Sequence, residues 1–85
     1  MKTVKWAPKA IKQVKKLGDK PLQTTLFAAT AELAKFPAVT GVIALTNHAY
    51  GYRLRVGNYR VLFNVLEAIE VVSIEEVKKR DERTY

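Results

Sequence analysis

The chain has 85 residues, a formal net charge of +7 and no cysteine, which bounds it to one small domain without a disulfide or a thiolate metal site. A single histidine among scattered carboxylates argues against zinc, and the apolar runs are too short to span a bilayer. The opening Met1-Lys-Thr-Val-Lys-Trp6 has no apolar h-region, so no signal peptide and a cytoplasmic protein are expected, while the basic balance favours an acidic partner.

Lys2–Trp6 reads as a first strand. Pro8 suits the first position of a helix, and Ala7, Ala10, Ile11, Val14 and Leu17 then recur at helical spacing. Lys9, Lys12, Lys15 and Lys16 fall off that stripe and read as a solvated helix face. Gly18 is a helix stop. Asp19-Lys20-Pro21 opens a second helix, with Leu22, Leu26, Ala29, Leu33 and Phe36 on one stripe and Pro37 closing it. These segments predict an αα-hairpin with one apolar face on each helix, and Trp6 and Phe27 read as core. Val42–Leu45 is a short strand candidate, followed by a connection at Thr46-Asn47-His48. Tyr52–Val56 and Tyr59–Leu66 form a hairpin around Gly57-Asn58, and Ile69–Val77 is expected as the last strand. Tyr52, Leu54, Val56, Tyr59, Val61, Phe63 and Val65 share the face that should pack on the helices. The expected fold is α+β: an N-terminal strand and a helical hairpin packed on a twisted antiparallel β-sheet, as one domain over residues 1–85.

The most informative segment is Tyr52-Arg-Leu-Arg-Val-Gly-Asn-Tyr-Arg60. With a tight turn, Val56 opposes Tyr59 and Arg55 opposes Arg60, and alternation brings Arg53 onto the same face. Like charges directly opposite one another destabilise a sheet. A cluster of guanidinium groups without an acid therefore points to a bound polyanion, phosphate first, because arginine grips phosphate bidentately and stays charged. The competing reading is a solvated sheet surface with Arg60 paired to Glu75 on the next strand. The tail adds Lys78, Lys79, Arg80, Arg83 and Tyr85. These are either a frayed basic terminus or groups delivered to the rim of the arginine face, where a tyrosine can stack on a base. His48 is either a loop residue or a candidate general base. Glu75 and Glu76, as strand neighbours, are expected to point to opposite faces.

The Tyr52–Arg60 motif, the strand after it and the ending Val77-Lys-Lys-Arg-Asp-Glu-Arg-Thr-Tyr85 resemble the RelE/ParE toxin superfamily of bacterial type II toxin–antitoxin modules. The resemblance covers essentially the whole chain and implies the RelE-like, microbial-ribonuclease-type fold. The ending with arginine and tyrosine is similar to the RelE branch, whose members cleave mRNA in the ribosomal A site. Carried over by position, the resemblance implies catalytic roles for Arg53, Arg55, Arg60, Arg80 and Tyr85. Arg53 and Arg55 would lie near the scissile phosphate, Arg60 would stabilise it, Arg80 would act as acid or charge stabiliser, and Tyr85 would stack on the substrate base. Lys78, Lys79 and Arg83 are then RNA-binding, and His48 remains a candidate general base. The RelE pattern often carries lysine where this chain has Arg53 and Arg55. Arginine keeps its proton, so these two suit charge relief better than proton abstraction. The implied reaction is attack of a ribose 2′-hydroxyl on the adjacent phosphate, without metal or cofactor. The implied partners are the ribosome, mRNA and an acidic antitoxin, with no membrane. The alternatives are a ParE-like poison of DNA gyrase, which needs no RNA chemistry, and a plain basic nucleic-acid-binding module.

Overall fold

The computed structural model describes residues 1–79. Along the chain run β1 (Thr3–Trp6), α1 (Pro8–Lys15), α2 (Lys20–Ala31), a 3₁₀ turn (Glu32–Lys35), β2 (Val42–Ala44), β3 (Tyr52–Val56), β4 (Tyr59–Leu66), a second 3₁₀ turn (Glu67–Ile69) and β5 (Val71–Lys79). Both helices start where the local chemistry directs. Pro8 opens α1, where its missing N–H costs nothing. Asp19 caps α2, its Oδ1 accepting from the Leu22 N–H at 3.1 Å. Between them Gly18 takes a φ of 65°, a left-handed conformation that glycine adopts without a Cβ penalty. No described helix is long and apolar enough to cross a membrane.

The strands form one sheet in the order β1-β5-β4-β3-β2. β1 pairs with β5 in parallel, and the other neighbours are antiparallel. The sheet is therefore mixed, not wholly antiparallel. A strand followed by helices, with no hairpin, is free to pair in parallel with a distant strand. The helices cover one face. Ala10 and Val14 of α1, Leu26 of α2 and Leu33 pack with Leu54, Val61, Phe63, Val72, Ile74 and Val77 of the sheet. Tyr52 stacks on Phe63 at 5.5 Å, and Phe36 meets Tyr52 edge-on at 5.0 Å.

Three expectations shift. Phe27 is 40% exposed, because Leu26 and Thr30 take the inward positions of α2; its ring instead lies 5.0 Å from that of half-buried Trp6. The last strand begins at Val71, not Ile69. Glu67–Ile69 close a 3₁₀ turn and Glu70 takes a left-handed φ of 53°, a connection that no Asn-Gly or Gly-containing signal announces. Finally, β5 carries a bulge. Leu62 opposes Glu76 while Phe63 opposes Ile74, so Glu75 is an extra residue.

The edge of β5 is finished by α1. β1 runs out opposite Ile74, and the Ala7 N–H donates to the Ile74 carbonyl at 2.8 Å. Beyond that point Gln13 Oε1 accepts from the Val77 N–H at 2.6 Å. Gln13→Ala should cost roughly 1–3 kcal/mol, the typical penalty for a part-buried donor left unmade. Gln13→Glu, which keeps an acceptor, should lose less. Urea denaturation of the two variants checks this ordering.

Candidate nucleic-acid interface

The β3–β4 hairpin has the expected register, with Val56 opposite Tyr59 and Arg55 opposite Arg60. Gly57 has a φ of 55° and Asn58 is not in the left-handed region, the pattern of a type II′ turn. A Cβ on Gly57 would meet nothing within 4 Å, so the demand for glycine is conformational, not steric.

Packing Tyr52, Leu54, Val56, Tyr59 and Val61 against the helices sends Arg53, Arg55 and Arg60 to the opposite face. The next strand reinforces them. Arg60 stands opposite Lys78, not Glu75. The register of the competing reading, with Glu75 across from Arg60, is not the one found: Glu75 is the extra residue of the bulge, and its Oε2 accepts from Ser73 Oγ at 2.6 Å. Arg55, Arg60 and Lys78 form a cationic row across three strands, with strands roughly 4.8 Å apart.

Beside it runs a second row, Ile43, Arg53, Leu62 and Glu76. Leu62 is 6% exposed, so this row has an apolar floor. Arg53 Nε is buried and finds no hydrogen-bond partner among the described residues. A charged donor held unpaired is recovered when an acceptor arrives. Among the described residues, Arg53 and Arg55 form no ion pair. Two carboxylates reach this face: Glu75, held by Ser73, and Glu76. Glu76 is buried, and its Oε2 lies 3.4 Å from Lys9 Nζ and 3.6 Å from Lys78 Nζ. Ser73 opposes Asn64 and Glu76 opposes Leu62, so two residues three apart share the arginine face. The simple alternation expected for Glu75 and Glu76 is broken by the bulge.

Of the other residues singled out in the sequence, Lys79 opposes Tyr59 and so belongs to the face opposite Lys78. His48 lies exposed in the loop before β3, and its Nδ1 accepts from the Tyr50 N–H at 3.1 Å. That loop enters β3 at Tyr52, the end remote from the Gly57-Asn58 turn. Arg55 is three residues further along, about 10 Å of strand. Arg80, Arg83 and Tyr85 lie outside the described residues. Lys9, Leu62 and Glu76 were not singled out as site residues. One signal was available: the buried apolar positions of β5 run 72, 74, 77, and that slip in period marks a bulge.

The two-layer fold carries the cationic row of Arg55, Arg60 and Lys78 on the sheet face away from the helices. Residues 4–84 match the profile of a family described as the ParE toxin of type II toxin–antitoxin system, parDE. The chain belongs to this family, within the RelE/ParE superfamily, and is a toxin of the type II toxin–antitoxin class. No curated protein sequence matches it significantly.

Among solved structures it is similar to a chain of the archaeal RelE–RelB complex from Pyrococcus horikoshii OT3. The identity is 25%, the TM-score is 0.77, and the match covers 95% of this chain and 97% of that one. It is also similar to a chain of the toxin–antitoxin complex RelBE2 from Mycobacterium tuberculosis, at 22% identity and a TM-score of 0.80, covering 93% and 98%. The isolated E. coli RelE toxin matches at 20% identity and a TM-score of 0.77, covering 99% and 89%. These last two likenesses carry the fold alone.

The like-charge row has a measurable cost. Arg55→Thr should raise stability at low ionic strength by about 0.2–1 kcal/mol, the usual size of a cross-strand pair effect. The gain should shrink as salt shortens the Debye length. Denaturant midpoints of both proteins at low and high salt test this; an unchanged difference would assign the effect to packing instead.

Proposed function

We propose that this toxin is a ribosome-dependent mRNA endoribonuclease that blocks translation in the cytoplasm, acting as one domain over residues 1–85. The observation that carries the reading is the row Arg55, Arg60 and Lys78, which sets two guanidinium groups and an ammonium on neighbouring strands of one sheet face. In the reaction, a ribose 2′-hydroxyl attacks the neighbouring phosphorus and the 5′-oxygen of the next nucleotide leaves. Negative charge builds on the phosphate oxygens in the transition state. Fixed cations aimed at those oxygens relieve it, which is usually the largest catalytic contribution.

Arg55 and Arg60 are the proposed phosphate ligands, and Arg53 lies beside them with its unpaired Nε. Lys78, Lys79 and Arg83 are proposed as RNA-binding groups, and Arg80 and Tyr85 as the acid or charge stabiliser and the base-stacking ring. Arginine supplies charge but poor proton transfer. A site so composed works slowly on free RNA and gains most when another body holds the 2′-hydroxyl in line with the phosphate. The ribosome is the proposed source of that positioning. The same cationic face suits an acidic antitoxin segment that folds on binding, and it is RelE–RelB and RelBE complexes that this chain's structural relatives come from.

Arg55→Ala and Arg60→Ala should each lower mRNA cleavage about 100-fold or more, the scale seen when one transition-state donor is removed, with an unchanged circular dichroism spectrum. Primer extension on mRNA after brief induction reads the cuts, which should fall inside translated codons. The profile matched is that of the ParE branch, and this favours a second reading as a gyrase poison. Growth arrest with a DNA-damage response and intact mRNA would establish that reading and remove the first.

A further inference from the structure

The turn of α1 onto the outer edge of β5 carries a lysine of the helix to the arginine face. Lys9 Nζ and Lys78 Nζ approach the same oxygen, Glu76 Oε2, at 3.4 and 3.6 Å. The Glu76 side chain is only 12% exposed, whereas those of Lys9 and Lys78 are 60% and 59% exposed. Two ammonium groups that reach solvent are thus gathered on one nearly buried anionic oxygen. They sit where the Arg55, Arg60, Lys78 row meets the sheet edge. The first turn of α1 has no acidic residue and no capping side chain, so the positive end of the helix dipole adds to the field there.

We propose that Lys9 and Lys78 form a further seat for a phosphate of an RNA backbone, with the Glu76 carboxylate as its placeholder in the free protein. The proposal rests on the reading of the arginine row as an RNA site, and it assigns the strand a path. The backbone crosses the β-strands from Arg55 over Arg60 to Lys78, then rounds the edge of β5 to Lys9. Lys9 thereby leaves the group of lysines that merely solvate α1. Glu76 has two effects. It offsets the repulsion between the two ammonium groups, which keeps both at the edge. It also subtracts one charge from the row, which holds down affinity for any passing polyanion. When a phosphate arrives, the long lysine stems turn from the carboxylate to the phosphate oxygens while staying in water.

The test is fluorescence polarisation with a labelled single-stranded 2′-O-methyl RNA, which lacks the attacking hydroxyl, over a series of salt concentrations. Lys9→Ala should weaken binding several-fold and flatten the log–log salt slope by about 0.7, the share of one neutralised phosphate on a single strand. Lys12→Ala, on the same helix, should change neither. Glu76→Gln, which keeps the shape and removes the charge, should tighten binding. If Lys9→Ala behaves like Lys12→Ala while Arg55→Ala still weakens binding, the edge seat is wrong and the arginine site stands. If Arg55→Ala is also without effect, the RNA reading itself falls. Unchanged or weaker binding by Glu76→Gln would overturn the placeholder role. Thermal melts of each variant separate these outcomes from unfolding.

Discussion

Burial of one face of the β3–β4 hairpin against the helices is the constraint from which the rest follows. Leu54, Val61 and Phe63 are buried in that layer, and strand geometry then leaves Arg53, Arg55 and Arg60 no choice but the other side. A slip of one residue would exchange the two sets completely, exposing the apolar residues and burying the guanidinium groups. The cationic face is therefore specified by the hydrophobic core and not by any attraction among its own residues. The type II′ turn at Gly57 adds the last requirement, since it sets Arg55 directly opposite Arg60.

Like charges opposite one another, as Arg55 and Arg60 are, lower stability in general, and the magnitudes show why they are tolerated. Two unit charges 4 Å apart in water repel by about 1 kcal/mol, and exposed side chains can swing further apart. A single buried leucine or phenylalanine contributes roughly 1.5–3 kcal/mol, so the core outweighs the row several times over. On the proposed reading the tension lies between fold and function: the arrangement most favourable to a bound phosphate is unfavourable to the empty sheet. A buried, unpaired Arg53 Nε belongs to the same pattern, in which the free protein carries donors that a ligand would complete.

The bulge in β5 and the short β1 together shape the rim of this face. Because β1 ends opposite Ile74, α1 lies against the exposed stretch of β5 and its Gln13 satisfies the Val77 N–H. The same placement brings Lys9 to Glu76. Because the bulge inserts Glu75, Lys78 comes into line with Arg60. An unbulged β5 would place its residues one step out, and the cationic row would end at Arg60. A local irregularity thus decides how far the charged surface extends.

Much of this was legible in the chain itself. Helical spacing with Pro8, Gly18 and Asp19 marked both helices, and the Gly57-Asn58 turn with alternating residues marked the hairpin and its register. Those signals act over a few residues, where backbone preference and period suffice, so the three arginines on one face followed from sequence alone. What lay beyond reach involved partners distant along the chain. The parallel pairing of β1 with β5, the bulge that brings Lys78 instead of Val77 opposite Arg60 and the meeting of Lys9 with Glu76 all depend on how separate elements pack. Local sequence settles which face a side chain takes, but only the closed tertiary fold decides what stands next to it, because register between distant strands is set by the core they share.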